Sequence, residues 1–243
     1  MRKLVVAALV SALALTGAVT AWAVTSAQTN ISANFSPNNK RKGTANRPAP
    51  KALVINHDQS TTTGSGQPET SAAIRLGVAR GWRINSGIWP RRARCNIQTV
   101  NQQGSDSGCP RGSRVGSGAV NLLAGDGAIQ EAADLRLHVS RDGDLFIFLD
   151  SRPGEPVELN AAVPCEVARG RTATCNIPET LQRPAGVKSS IDNLRLRIAG
   201  SRRIRGRQRS ILETTGCRRA WVFSFTVIFD DGVRKTDTDR VRC

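Results

Sequence analysis

An all-β fold, a single antiparallel β-sandwich held by three disulfides, is predicted from three observations. From Val115 onward, apolar and polar residues alternate with a period near two over long stretches, which sets one face of each strand in a core and the other in water. Turn-forming residues punctuate those stretches, and almost nothing carries a helical period. Six cysteines fall into three consecutive, closely spaced pairs, the last member being the final residue, Cys243.

The chain opens with the features of a secretory leader over residues 1–23. Met1-Arg2-Lys3 is a basic start, Leu4 to Val19 an apolar stretch, and Ala21-Trp22-Ala23 a small-x-small processing site. A cut after Ala27 is the alternative. The leader has no cysteine to take a lipid, and no second apolar run nears the roughly 18 residues that would span a bilayer. A secreted or extracytoplasmic protein is expected, soluble or held to a surface by contacts alone. The oligomeric state is left open.

Residues 24–51 form an N-terminal segment, with a strand at Ile31 to Phe35 followed by a basic, mobile link around Lys40-Arg41-Lys42. The sandwich domain is assigned to residues 52–243. Ala52 to Asn56 is an apolar run of strand length, Gln59 to Thr70 a Ser/Thr/Gly-rich loop, and Ala73 to Val78 and Trp82 to Ile88 are strands parted by Gly81. Ala128 to Ala133 carries the one helical expectation. Leu135, Leu137 and Val139 alternate with polar residues, whereas Leu145 to Leu149 is apolar throughout, so the first strand is half-buried and the second covered on both sides. Asp142-Gly143 joins them as a hairpin. Leu194, Leu196 and Ile198 alternate with Arg195 and Arg197.

The final hairpin is the clearest element. Trp221, Phe223, Phe225, Val227 and Phe229 share one face, Asp230-Asp231-Gly232 suits a three-residue turn with glycine in the left-handed position, and Val233 begins the return. Pairing Phe229 with Val233 brings Cys217 and Cys243 within about two residues of register, an offset that a bulge absorbs. Jelly-roll and immunoglobulin-like topologies are the candidates for the whole.

In an oxidising compartment an even cysteine count reads as disulfides. The sequential pairing is expected: Cys95 with Cys109, Cys165 with Cys175, Cys217 with Cys243. Zinc needs closely spaced thiolate pairs, and no C-x-x-C occurs. After the first pair, residues 109–118 run C-P-R-G-S-R-V-G-S-G into an apolar strand. A phosphate cradle would need a lysine and a following helix that are missing.

The pattern C-P-x-G-S-x-V-G-x-G at 109–118 resembles that of uncharacterised secreted proteins of soil actinobacteria. Arg75-x-Gly77-x-x-Arg80-Gly81-x-Arg83-x-Asn85, Pro90 ahead of Cys95, and the end from Cys217 through Trp221, Phe225 and Asp231-Gly232 to Cys243 are similar to theirs as well. The resemblance implies a β-sandwich and an extracytoplasmic location. It brings no activity, cofactor or site. Cys165, Cys175 and the arginine cluster described next depart from it.

The formal charge is +16, or +14 once Arg2 and Lys3 leave with the leader. Such a balance implies attraction to anionic polymers: wall polymer, acidic polysaccharide or nucleic acid. The competing reading is compositional, with arginine used wherever a solvated cation serves. Aromatics at 4% and the absence of tyrosine argue against a stacking platform for bases or sugar rings. Arg202, Arg203, Arg205, Arg207 and Arg209 make the densest charge feature, read as a loop whose guanidinium groups could hold anions in bidentate fashion or simply be solvated. Arg91, Arg92 and Arg94, with Trp89 beside them to stack on a ring or a cation, are the lesser candidate.

No catalytic set, metal set or cofactor is predicted. Asp144 and Asp150 bracket one strand at nearly 20 Å, too far apart to cooperate in glycoside hydrolysis. Glu155, Glu158 and Glu166 fall in a loop region with nothing to set two of them face to face. His57 beside Asp58 lacks a serine, no G-x-S-x-G occurs, and His138 is placed on the wet face of its strand. Three functions fit the sequence: a non-catalytic binder of anionic polymers, an extracellular hydrolase using loop carboxylates, and a structural envelope protein without a ligand.

Overall fold

The computed structural model describes residues 25–39, 42–63, 66–204 and 206–243. Residues 1–24, on which the expected leader falls, and Lys40, Arg41, Gly64, Ser65 and Arg205 lie outside the described residues. The first strands are β1 (Thr29–Pro37), β2 (Ala49–Lys51), β3 (Leu53–Thr61), β4 (Ser71–Gly77) and β5 (Trp82–Ile84). After helix α1 (Ile97–Gln103) come β6 (Arg114–Ala124), β7 (Ile129–Val139), β8 (Leu145–Ser151), β9 (Ala161–Ala168) and β10 (Thr172–Asn176). Helix α2 (Glu179–Gln182) precedes β11 (Ser189–Ile198), β12 (Ser201–Ile204), β13 (Arg207–Ser210), β14 (Leu212–Thr214), β15 (Ala220–Phe229) and β16 (Arg234–Arg242).

Eleven strands form one antiparallel sheet in the order β1-β3-β11-β6-β7-β8-β9-β10-β4-β15-β16. It folds over on itself until its two edges meet, so the layers of the sandwich are the two halves of a continuous sheet. Across the interior Phe35 of β1 stacks on Phe223 of β15 at 5.1 Å, and His57 of β3 lies 4.3 Å from Phe225. Side chains rather than a backbone ladder close the seam. Asp237 and Asp239 of β16 accept from the N–H groups of Ala33 and Phe35 at 2.7 and 2.8 Å, and Lys235 donates to the carbonyl of Thr29. These bonds satisfy an edge that would otherwise offer unpaired groups to another chain.

The β7–β8 and β15–β16 hairpins form as expected. Ile228 pairs with Arg234, the Phe229 N–H meets the Val233 carbonyl at 2.9 Å, and Gly232 has φ +83°. All three sequential disulfides are present. Cys165 and Cys175 are register partners on β9 and β10.

Ala128–Ala133 is not a helix. The Gly125–Gly127 turn leads straight into β7, where Ile129 pairs with Ala124, and cross-strand pairing overrides alanine's helical preference. Conversely, α1 forms where the sequence shows no helical period. Asn96 caps it by accepting from the Gln98 N–H, and Gly104 ends it at φ +57°. This helix explains the wholly apolar run of residues 145–149 in β8: Leu145, Ile147 and Leu149 enter the main core, while Phe146 and Phe148 pack on the opposite face with Cys95, Val100 and Ala162.

Candidate functional site

The predicted arginine loop is a β-hairpin. β12 and β13 pair so that Arg202 faces Arg209 and Arg203 faces Gln208. Two guanidinium groups directly opposite would repel, and each is drawn to a different partner. Arg202 packs with its guanidinium carbon 6.0 Å from the Trp89 ring. Arg209 grips Glu213 with both arms, Nε to Oε1 at 2.7 Å and Nη2 to Oε2 at 3.0 Å. Arg203 and Arg207 remain exposed.

Glu213 is 1% exposed and also accepts from Arg83 at 3.0 Å and from the Ser210 N–H at 3.3 Å. Burial alone would push its carboxyl up, but the bonds from Arg209, Ser210 and Arg83 outweigh it and hold the group below the usual range. Glu213→Gln is expected to destabilise the fold by about 2 kcal/mol. Removing one partner of a buried pair costs roughly 3–5 kcal/mol, and the partly open guanidinium groups recover some of that from water. Urea unfolding measures the loss, and an unchanged midpoint would refute this anchoring role.

Near the second candidate, Trp89 is buried rather than presented to solvent, and its Nε1 donates to the Gly112 carbonyl at 2.8 Å. The cation it meets is Arg202 of its own chain. Arg94 is structural: it donates to the carbonyls of Trp89 at 2.8 Å, Gly87 at 2.7 Å and Arg141 at 3.2 Å. Arg91 and Arg92 project from the turn that precedes it and are exposed.

The two arginine groups, more than a hundred residues apart in sequence, are joined through Gly112. A side chain at that position would touch both the Arg202 guanidinium and Ala93. Arg111 and Arg114, next to Gly112 in the chain, are exposed, as are Arg195 and Arg197 of β11. The alternation of β11 puts Arg195 and Arg197 on its outer face, but only tertiary structure sets them beside β6, where Arg197 pairs with Ser117 and Arg195 with Ala119.

His138 is not on a wet face. The segment carrying Asp106 and Ser113 covers it, leaving it 2% exposed and stacked on Phe146 at 5.1 Å. Its Nδ1 lies 2.9 Å from Ser113 Oγ and its Nε2 3.0 Å from Asp106 Oδ2. Burial lowers its pKa against the opposing pull of Asp106; Nε2 donates to Asp106, and the Ser113 hydroxyl beside Nδ1 donates to the Pro110 carbonyl at 2.7 Å. These are the residue types of a hydrolytic triad, but Ser113 exposes no surface to a substrate. The array instead fastens the covering segment to β7, together with Arg136, which bridges Asp106 and Asp150.

The remaining acids scatter. Asp144 accepts from the Val167 N–H at 2.9 Å, and Glu158 from Asn160 at 2.6 Å. Glu166 is exposed on β9, and Glu155 turns toward Glu131 of β7. Among the described residues no group of acids, histidines or cysteines gathers to hold a metal ion, and no helix is long and apolar enough to cross a membrane. No known protein family matches the chain, and no curated protein does.

Proposed function

We propose that this chain is a secreted, non-catalytic protein that binds an anionic polymer of the cell envelope or surroundings through its arginine surface, and that it shares its location with the soil actinobacterial proteins it resembles. Three disulfides fit an oxidising, non-cytoplasmic compartment. The observation that carries the reading is the meeting of two arginine groups at Trp89 and Gly112, with Arg91, Arg92, Arg203 and Arg207 left exposed. Arg94, Arg202 and Arg209 serve as the frame that orients them. A guanidinium held at the surface but engaged by no carboxylate of its own protein is available for bidentate contact with phosphate, sulfate or carboxylate.

Binding should weaken steeply with salt, because each neutralised anionic group releases condensed counterions. Changing Arg91, Arg92, Arg203 and Arg207 to glutamine should lower the affinity. On duplex nucleic acid it should also flatten log affinity against log salt by about 0.9 for each phosphate that is no longer neutralised. The fold should survive, since exposed charges add little stability. Titrations of nucleic acid, wall polymer and acidic polysaccharide at low salt form the test. No binding to any of the three, or binding indifferent to the fourfold substitution, would leave the compositional explanation of the charge.

A further inference from the structure

In a chain of net charge +16, one surface depression is lined by carboxylates. Glu131 of β7, Glu155 of the β8–β9 connection and Asp192 of β11 reach it from three separate elements. Among the described residues no lysine or arginine lines it. The nearby cation of that connection, Arg152, is taken by Asp134 at 3.1 Å.

Two features point to a ligand. Asp192 is the extra residue of a β-bulge: Ile191 pairs with Leu122 and Asn193 with Asn121, so nothing stands opposite it. A bulge of this kind re-aims a side chain out of the ladder. Glu131 is 3% exposed; its Oε1 accepts from the Val157 N–H at 2.6 Å, while no donor reaches the buried Oε2 and the Glu155 side chain lies within hydrogen-bond reach of the carboxyl. An oxygen in that state is costly unless a donor or cation reaches it. Burial, reinforced by Glu155, raises the Glu131 pKa above the ordinary carboxylate range, as expected where negative groups crowd without a counter-charge.

Calcium needs six to eight oxygens at roughly 2.3–2.6 Å, and among the described residues no group of three acids is set to hold a metal ion. The depression measures about 470 Å³, within the roughly 300–1,000 Å³ of small-molecule sites. Asn121 adds an amide and Leu123 an apolar patch to its wall. We propose that this depression binds a small organic polycation, a linear diamine or polyamine, whose ammonium groups pair with separate carboxylates while its carbon chain rests on the leucine. The site is opposite in charge to the arginine surface.

Isothermal titration of the disulfide-intact protein with 1,4-diaminobutane and with spermidine tests this, against potassium chloride at matched ionic strength and against calcium chloride. Saturable binding of the amines is expected. Asp192→Asn and Glu155→Gln should each weaken it by roughly 10- to 100-fold, the worth of one charge-assisted bond. Arg203→Gln should leave it unchanged, which separates this site from the anionic-polymer surface. Circular dichroism confirms that the variants are folded. Amine heats no larger than those of potassium chloride, calcium binding without amine binding, or variants that bind as tightly as the parent would each overturn the proposal.

Discussion

Replacing Cys217 and Cys243 by serine is expected to lower stability by about 3.5 kcal/mol while the protein remains folded. The bridge closes a loop of 26 residues, and the chain-entropy relation gives this magnitude for a loop of that length. The hairpin should persist because its inward face is held by packing. Trp221, Phe223, Phe225 and Phe229 are each no more than 2% exposed, and Trp82 meets Trp221 edge-on at 5.4 Å and Phe223 at 5.0 Å. The β1–β16 seam should loosen next. Denaturant midpoints read the first effect, and amide exchange at Ala33 and Phe35 reads the second. A double variant as stable as the parent, or one that is wholly unfolded, would contradict this division of labour between bridge and core.

Acidification is expected to cost about 3 kcal/mol between pH 6.5 and 4 through His57. This ring is fully buried in β3 against Phe225, with Nδ1 at 2.9 Å from the Ser32 carbonyl and no partner for Nε2. Burial lowers its pKa to about 4, against smaller opposing effects of Ser32, Asp58 and Asp237. The unfolded chain takes up a proton near pH 6.5 that the folded one refuses until about pH 4. The stability is therefore complete above 6.5, falls by about 1.4 kcal/mol per unit below it and levels off once the folded ring also protonates. His138, lowered in the same direction, adds to the slope, while the raised Glu131 opposes it. His57→Leu should flatten the profile in this window whatever its effect at neutral pH. A parent protein equally stable at pH 7 and pH 4.5 would refute the assignment.

The two histidines show where sequence reasoning stops. Both sit on strands, and alternation along a strand reports only which side of a sheet a residue takes. It does not say what lies over that side. For His138 the cover is the segment from Asp106 to Ser113, tied by the Cys95–Cys109 bridge, and the short helix α1 that precedes it announces itself only through the weak pair of Asn96 and Gly104. The arginines fail to resolve for the same reason. Arg203 and Arg209 look alike in sequence, and only the placement of buried Glu213 makes one a structural anchor and leaves the other to solvent.

Elements whose physics is local, or nearly so, are legible in the order of the residues. The period-two strands, the Asp142-Gly143 turn, the aromatic hairpin with its Phe229–Val233 register and the pairing of neighbouring cysteines all depend on residues close along the chain. Folding in three dimensions settles how the sheet closes through Lys235, Asp237 and Asp239, how Arg202 meets Trp89, and how a bulge brings Asp192 toward Glu131 and Glu155. Those contacts join groups that are mostly far apart in sequence. Their energies depend on distance and burial in the folded chain, and neither quantity is written in the order of the residues.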